Sequence, residues 1–264
     1  MSAGRGEGMK GLVIKDLFCL KKRLVILCFV IVGVLALSVM FVLSARFGNV
    51  AQAGKDMLKD NDITAIDVEN LAVTALAFFM LVPIAAVGDM AMVCDMDEKA
   101  GFCKVSASLP VSLKKRVLAR YFTVIALYFL SALIDMVIAF VLSRISDIIT
   151  FGVFLNIIFS CVSIMLLYSV CVIFYCFVLD SGKTSYAQLF SFLTLIAAAV
   201  LANLKTVKQI IRGMSAGSQD ISFIWNVFDF IKEKSWILLI IALGGCIISY
   251  TASMLVVNRK RGVI

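Results

Sequence analysis

Residues 95–121 read DMDEKAGFCKVSASLPVSLKKRVLARY and form the polar stretch around which the rest of the chain is organised. Pro110 has no backbone N–H and biases Leu109 away from the helical region. Ser112 can accept hydrogen bonds from backbone N–H groups two or three residues later, which predicts a helix beginning at Leu113. The stretch therefore predicts a short helix, a turn at Pro110 and a basic helix start, a shape against which another protein can dock.

Composition places the chain among membrane proteins. Of its 264 residues, 62% are apolar, and the mean hydropathy is +1.05. Soluble globular domains are about 45–50% apolar. The chain has no histidine, which excludes histidine metal sites and Ser-His or Cys-His catalytic pairs. The net charge of +8 is attributed to lysines and arginines that set membrane topology, and not to nucleic-acid binding.

Six apolar runs are each close to the ~20 residues that a helix needs to cross a bilayer. They predict an all-α integral membrane protein in which residues 1–264 form a single transmembrane domain. The predicted spans are approximately 24–45, 71–93, 121–143, 151–179, 185–204 and 235–257.

Two further segments flank these spans. Met9–Arg23 is amphipathic, with apolar residues at helical spacing and most of its charges off that stripe, which predicts a helix in the membrane interface. The alternative to an interfacial helix is a cytoplasmic extension of the first span. The sequence leaves two translation starts open, Met1 and Met9. Before the last span, Lys205–Lys234 carries an apolar stripe over 221–231 and predicts short outward-facing helices.

The orientation follows from the basic residues. A cytoplasmic N-terminus places most of the 25 lysines and arginines on the inside, so both termini and residues 95–121 are expected to be cytoplasmic. None of the eight cysteines then lies in an outward-facing loop, and all are expected to be reduced thiols.

Acidic residues within or near the spans are the candidates for intramembrane chemistry. A charge at the position of Asp135 costs roughly 2.5–3.5 kcal/mol on insertion scales, so this side chain is expected to face protein or water. It lines a substrate path, takes up a proton, or makes a polar contact between helices. Asp89 lies close to the cytoplasmic end of the second span. No two carboxylates share a span at helical spacing, which argues against a di-metal site.

A short match to a phosphate-binding loop is spurious. Gly182, Lys183 and Thr184 resemble the end of such a loop, but the glycine required at position 177 is Phe177. The chain is therefore not expected to bind a cofactor or to act as an enzyme. If ATP is used, it must be hydrolysed with Mg²⁺ by a second polypeptide.

The order of these segments resembles a known transporter family. The segments are Met9–Leu12 and Lys15–Leu17, two spans, Asp97–Phe102, Ser108–Ser112 and Arg120–Tyr121, then four spans. This order is similar to the type-2 permease family of ATP-binding-cassette (ABC) transporters, in its small single-domain bacterial form.

The resemblance implies partners and a docking site. The loop after the second span would carry a coupling helix that fits a groove on a separate ATPase subunit, and Met9–Arg23 would be the connecting helix. A second permease chain, identical or similar, and membrane lipid would complete the assembly in the bacterial plasma membrane. The docking residues it implies are Asp97, Glu98, Lys99, Leu109, Pro110, Ser112, Lys114, Lys115 and Arg116.

Relatives of this size often serve antimicrobial-peptide export or self-protection, so the resemblance favours a peptide or amphipathic substrate. The alternative is a stand-alone membrane immunity protein that binds a toxin at its outward loops without ATP. An intramembrane enzyme is a more distant alternative, because the spans carry no paired carboxylate and the chain has no histidine.

Overall fold

The computed structural model describes residues 7–47, 90–99, 112–145, 150–179, 183–202 and 222–261. All regular structure in these ranges is helical. The helices are α1 (Glu7–Phe47), α2 (Met90–Lys99), α3 (Leu113–Ile145), α4 (Phe151–Val178), α5 (Thr184–Ala202) and α6 (Ser222–Arg261).

Four of these helices are long and apolar enough to cross a membrane: Lys114–Arg144, Phe151–Val178, Thr184–Leu201 and Ser235–Arg259. They coincide with the predicted third to sixth spans. A fifth candidate lies in α1, which bends by 57° between Lys10–Lys22 and Leu24–Met40. The predicted second span lies outside the described residues except for its last four, which belong to α2. The protein is therefore a multi-pass helical membrane protein with four or five described spans.

α4 lies at the centre of the helix bundle. It packs most extensively against α6 and also against α3 and α5, while α1 packs against α3. The core along these contacts is aliphatic and aromatic, with Leu142, Phe154, Ile158 and Ile173 almost wholly buried. Lipid-facing positions remain apolar, as expected for a bundle whose solvent is hydrocarbon.

Hydroxyl groups tie the buried faces together. The Tyr121 hydroxyl lies 2.7 Å from Ser249 Oγ and 2.9 Å from Ser253 Oγ, which joins α3 to α6. Tyr128 Oη lies 2.7 Å from Ser169 Oγ, which joins α3 to α4. Hydrogen bonds between small polar groups help to join helices in membranes, where the hydrophobic effect does not drive helix association.

A local signal sets the start of α3, and a second predicted boundary, before the last span, is absent from the described part of α6. α3 begins at Leu113, the residue predicted, and the Ser112 carbonyl accepts hydrogen bonds from the N–H groups of Lys115 and Arg116 at 3.0 and 3.3 Å. The stripe over 221–231 is helical from Ser222 onward, but α6 runs without interruption to Arg261. A separate helix is therefore not observed over 222–234, where no glycine or proline interrupts α6, and the rest of the predicted segment, 205–221, lies outside the described residues.

Candidate functional site

A cluster of charged side chains lies where α1, α2 and α3 meet. Asp97 on α2 is its centre, with only 3% of its surface exposed. Its carboxylate oxygens accept hydrogen bonds from Lys15 Nζ at 2.6 and 2.7 Å, and Arg120 donates to it from α3. Lys15 Nζ also lies 3.1 Å from Asp16 Oδ1. We refer to Lys15, Asp16, Cys94, Asp97 and Arg120 as the Asp97 cluster.

The charges of this cluster are largely compensated. Two cations face two carboxylates, and Asp16 is itself 2% exposed. Burying a carboxylate is strongly unfavourable unless it is paired and hydrogen-bonded, and Asp97 is both. Its two cationic partners, Lys15 and Arg120, come from two other helices, so the cluster fixes α2 relative to α1 and α3.

Cys94, one turn before Asp97, extends the cluster towards α4. Its thiol sulfur lies 2.8 Å from Arg120 Nη1 and makes a hydrogen bond with the thiol of Cys176. The contact with Cys176, together with the charge of Arg120, lowers the pKa of the Cys94 thiol to about 7, against the opposing effects of burial, Asp97 and Asp16. Cys94 therefore has more thiolate character near neutral pH than an ordinary cysteine.

The predicted docking residues occupy different environments. Asp97 is turned inward and paired, whereas Lys99 is exposed and lies 2.7 Å from Asp95. Ser112 and Lys114 are exposed, and Lys115 and Arg116 are half-buried at the start of α3. Glu98 lies on α2, and its side chain is outside the described residues, as are Leu109, Pro110 and Asp89. Of the docking residues whose side chains the structure describes, Lys99, Ser112 and Lys114 are thus the exposed ones.

A second polar position lies inside the spans. Asp135 on α3 is fully buried, and Ser131 precedes it by one helical turn. Cys161 on α4 is close enough to interact with its charge. Among the described residues, neither carboxylate oxygen of Asp135 has a hydrogen-bond partner, and the hydroxyls of Ser131 and Ser160 also have none. Buried polar groups are normally satisfied, so this position needs a functional or conformational explanation.

Several members of the Asp97 cluster were not foreseen from the sequence. The amphipathic pattern places Lys15 and Asp16 off the apolar stripe and predicts that they face headgroups, but Asp16 is buried and Lys15 is 25% exposed at its side chain. An acidic residue within a basic segment was the available signal, because an isolated Asp among lysines is a natural partner for a cation. Nothing in the sequence pointed to Cys94 and Cys176 as a pair.

Within the described residues no group of three or more Cys, Asp or Glu side chains is arranged to hold a metal ion. The bundle, its buried polar contacts and its apolar surface define a polytopic helical membrane protein. Residues 63–259 match the family model described as ABC-2 family transporter protein, and the chain belongs to this family. No curated protein and no solved structure matches it. Members of this family are the membrane components of transporters and are not themselves catalytic.

Proposed function

We propose that this chain is the permease subunit of an ABC transporter that exports a peptide or another amphipathic compound. Two permease chains, identical or similar, pair with two ATPase subunits in the bacterial plasma membrane, and both termini are cytoplasmic. ATP and Mg²⁺ are bound by the partner subunits. Family membership is the observation that carries this proposal.

The Asp97 cluster supports a mechanism for coupling. Residues 100–111 connect α2 to α3, and the cluster ties both flanking helices to α1. A push on this loop by an ATPase subunit would reach α1 and α3 through buried ion pairs, which hold their geometry better than exposed pairs. We assign Asp97 a positioning role, while Lys99, Leu109, Pro110, Ser112 and Lys114 make the contacts with the ATPase.

Asp135 supports a polar step along the transport path. Its unpaired carboxyl group faces protein within the span, where such groups commonly mark substrate or ion pathways. In the proposed cycle, movement of α3 against α4 exposes this group to cargo or water. The fully buried position in the present structure then corresponds to a state in which the path is closed.

Copurification from native membranes in mild detergent tests the proposal. We expect mass spectrometry to find a stoichiometric nucleotide-binding subunit, and the pool to hydrolyse ATP. The double substitution Leu109→Gly/Pro110→Gly is expected to lose this subunit. Arg259→Glu, at an exposed position on the same predicted side of the membrane, is the control and is expected to retain it. A chain that comes out alone from unaltered membranes would instead indicate a stand-alone binding protein.

A further inference from the structure

Two thiols from different helices meet beside the Asp97 cluster. Cys94 belongs to α2 and Cys176 to the last turn of α4, and their side chains are in hydrogen-bond contact. Both are reduced, and each keeps part of its surface exposed. The pair lies where α2 ends and α3 begins, and the partial exposure of each thiol leaves it open to a small oxidant.

The surroundings favour reaction at Cys94. The Arg120 guanidinium, 2.8 Å from its sulfur, stabilises the thiolate, which is the nucleophilic form of cysteine. Cys176 supplies a second sulfur that can act as a resolving thiol. Redox-sensitive cysteines commonly combine an accessible, low-pKa thiol with such a neighbour.

We propose that Cys94 and Cys176 form a reversible disulfide, produced by hydroperoxide oxidants, that locks α2 to α4. The Cys94 thiolate attacks one oxygen of the hydroperoxide, the O–O bond breaks, and the leaving hydroxide takes up a proton to become water. The Cys176 sulfur then attacks the resulting sulfenic acid, the S–O bond breaks, and a second water leaves. Two thiols and one hydrogen peroxide thus give one disulfide and two waters.

The position of the bond gives it a mechanical effect. α2 is already joined to α1 and α3 through Asp97, so a covalent link to α4 would connect all four helices at one end. Movement of α2 relative to α4 would then be blocked. This consequence rests on the proposed function, because it requires that α2 transmits motion from an ATPase subunit.

The disulfide itself is tested on the full chain in lipid nanodiscs. Hydrogen peroxide is added, free thiols are alkylated, and peptides are analysed by mass spectrometry. We expect a peptide linked through Cys94 and Cys176 that disappears after treatment with dithiothreitol. Cys94→Ser and Cys176→Ser are each expected to abolish it, whereas Cys171→Ser, on the same helix as Cys176, is expected to leave it unchanged. Absence of the linked peptide, or oxidation of Cys94 to sulfinic acid alone, would overturn the proposal.

The lock is tested separately in the complex with its ATPase subunit. Oxidation is expected to lower transport by roughly tenfold, within the range of known conformational couplings, and dithiothreitol is expected to restore it. Cys94→Ser should transport equally before and after peroxide. A linked peptide with unchanged transport would overturn the lock but keep the modification site. Failure to recover any ATPase subunit would count against the proposed function and would leave the peptide measurement valid.

Discussion

The ammonium of Lys15 in α1 donates to both carboxylate oxygens of Asp97 in α2, at 2.6 and 2.7 Å, across 82 residues of sequence. Arg120 completes the arrangement from α3. The carboxylate of Asp97 on α2 thus accepts hydrogen bonds from two other helices, α1 and α3. Its removal would take the carboxylate partner from Arg120 and leave Lys15 with Asp16 alone.

Replacing Asp97 should therefore destabilise the protein more than its neighbour Asp95. Asp97→Asn is expected to lower the free energy of unfolding by about 3 kcal/mol, because the largely buried Arg120 loses its carboxylate partner and Lys15 keeps only Asp16. Asp95→Asn should cost less than about 1 kcal/mol, since Asp95 pairs with Lys99, whose side chain is 75% exposed. Thermal unfolding in detergent measures both. Equal melting temperatures for the two variants would contradict a structural role for the cluster.

Removing Asp135 should have opposite effects on stability and on transport. Asp135→Leu is expected to raise the melting temperature, because it replaces an unpaired buried carboxyl group with an apolar side chain of similar size. If the carboxyl group serves the transport path, the same variant should lose transport while its ATPase subunit still copurifies. Ser131→Ala, one turn earlier on the same face, provides the matched control and should transport normally. A destabilised Asp135→Leu variant would point to a polar contact that holds helices together.

The hydroxyl of Tyr121 should contribute measurably to the packing of α3 on α6. Tyr121→Phe removes two hydroxyl contacts, with Ser249 and Ser253. Hydrogen bonds between membrane helices contribute about 0.6 kcal/mol each, so we expect the free energy of unfolding to fall by about 1 kcal/mol. Tyr186→Phe, at an exposed position on α5, should have no effect on thermal unfolding. Two variants with indistinguishable melting curves would rule out a role for these hydroxyl contacts.

Adjacent glycines on α6 should respond differently to the same substitution. A Cβ added at Gly245 would lie 2.6 Å from Leu167 Cδ2 on α4, whereas one added at Gly244 meets nothing within 4 Å. Gly245→Leu is expected to separate the two helices at this point and to cost about 1–3 kcal/mol by overpacking. Gly244→Leu should be tolerated or stabilising because glycine is a poor helix former. Thermal unfolding in lipid nanodiscs compares the pair, and the reverse order would show that the close approach of α6 to α4 is not maintained there.

The reactivity of Cys94 should follow its depressed pKa. Because only the thiolate is alkylated, its rate of reaction with iodoacetamide should rise with pH and reach half its maximum at about pH 7, compared with 9.0 for an ordinary thiol. Cys176→Ala should move this midpoint to higher pH, since it removes the side-chain hydrogen bond that most lowers the pKa. Mass spectrometry of the Cys94 peptide gives the rate at each pH. A midpoint near 9 in the unaltered protein would contradict the effect of Cys176 and Arg120.

The third to sixth predicted spans coincide with long apolar helices, and they were readable from the sequence because hydropathy depends on local composition. Ser112 and Pro110 likewise placed the start of α3 at Leu113, since capping and proline geometry act over a few residues. The Asp97 cluster was not readable. Its ion pairs join residues 23 and 82 positions apart, and no local rule selects Lys15 as a partner of Asp97 from among the basic residues near the N-terminus.

The same distinction explains Asp97 itself. Its neighbours on α2, Asp95 and Lys99, face outward, and a polar loop beside a membrane span suggests exposed charges throughout. Only the packing of α2 against other helices shows which of these side chains turns inward. The sequence indicated that a charge at Asp135 is costly inside the membrane and that its side chain faces protein or water. The helices that enclose it could be named only from the structure.

The separation of Lys15 from its partners also orders the synthesis of the protein. Lys15 leaves the ribosome long before Asp97, and Arg120 follows 23 residues after Asp97. The N-terminal helix is therefore made long before Lys15 can reach the carboxylate of Asp97, and until then Asp16 is its acidic neighbour in the cluster. Nascent chains that end before Arg120 cannot close the cluster, so its formation marks the earliest point at which α1, α2 and α3 can assemble as one unit.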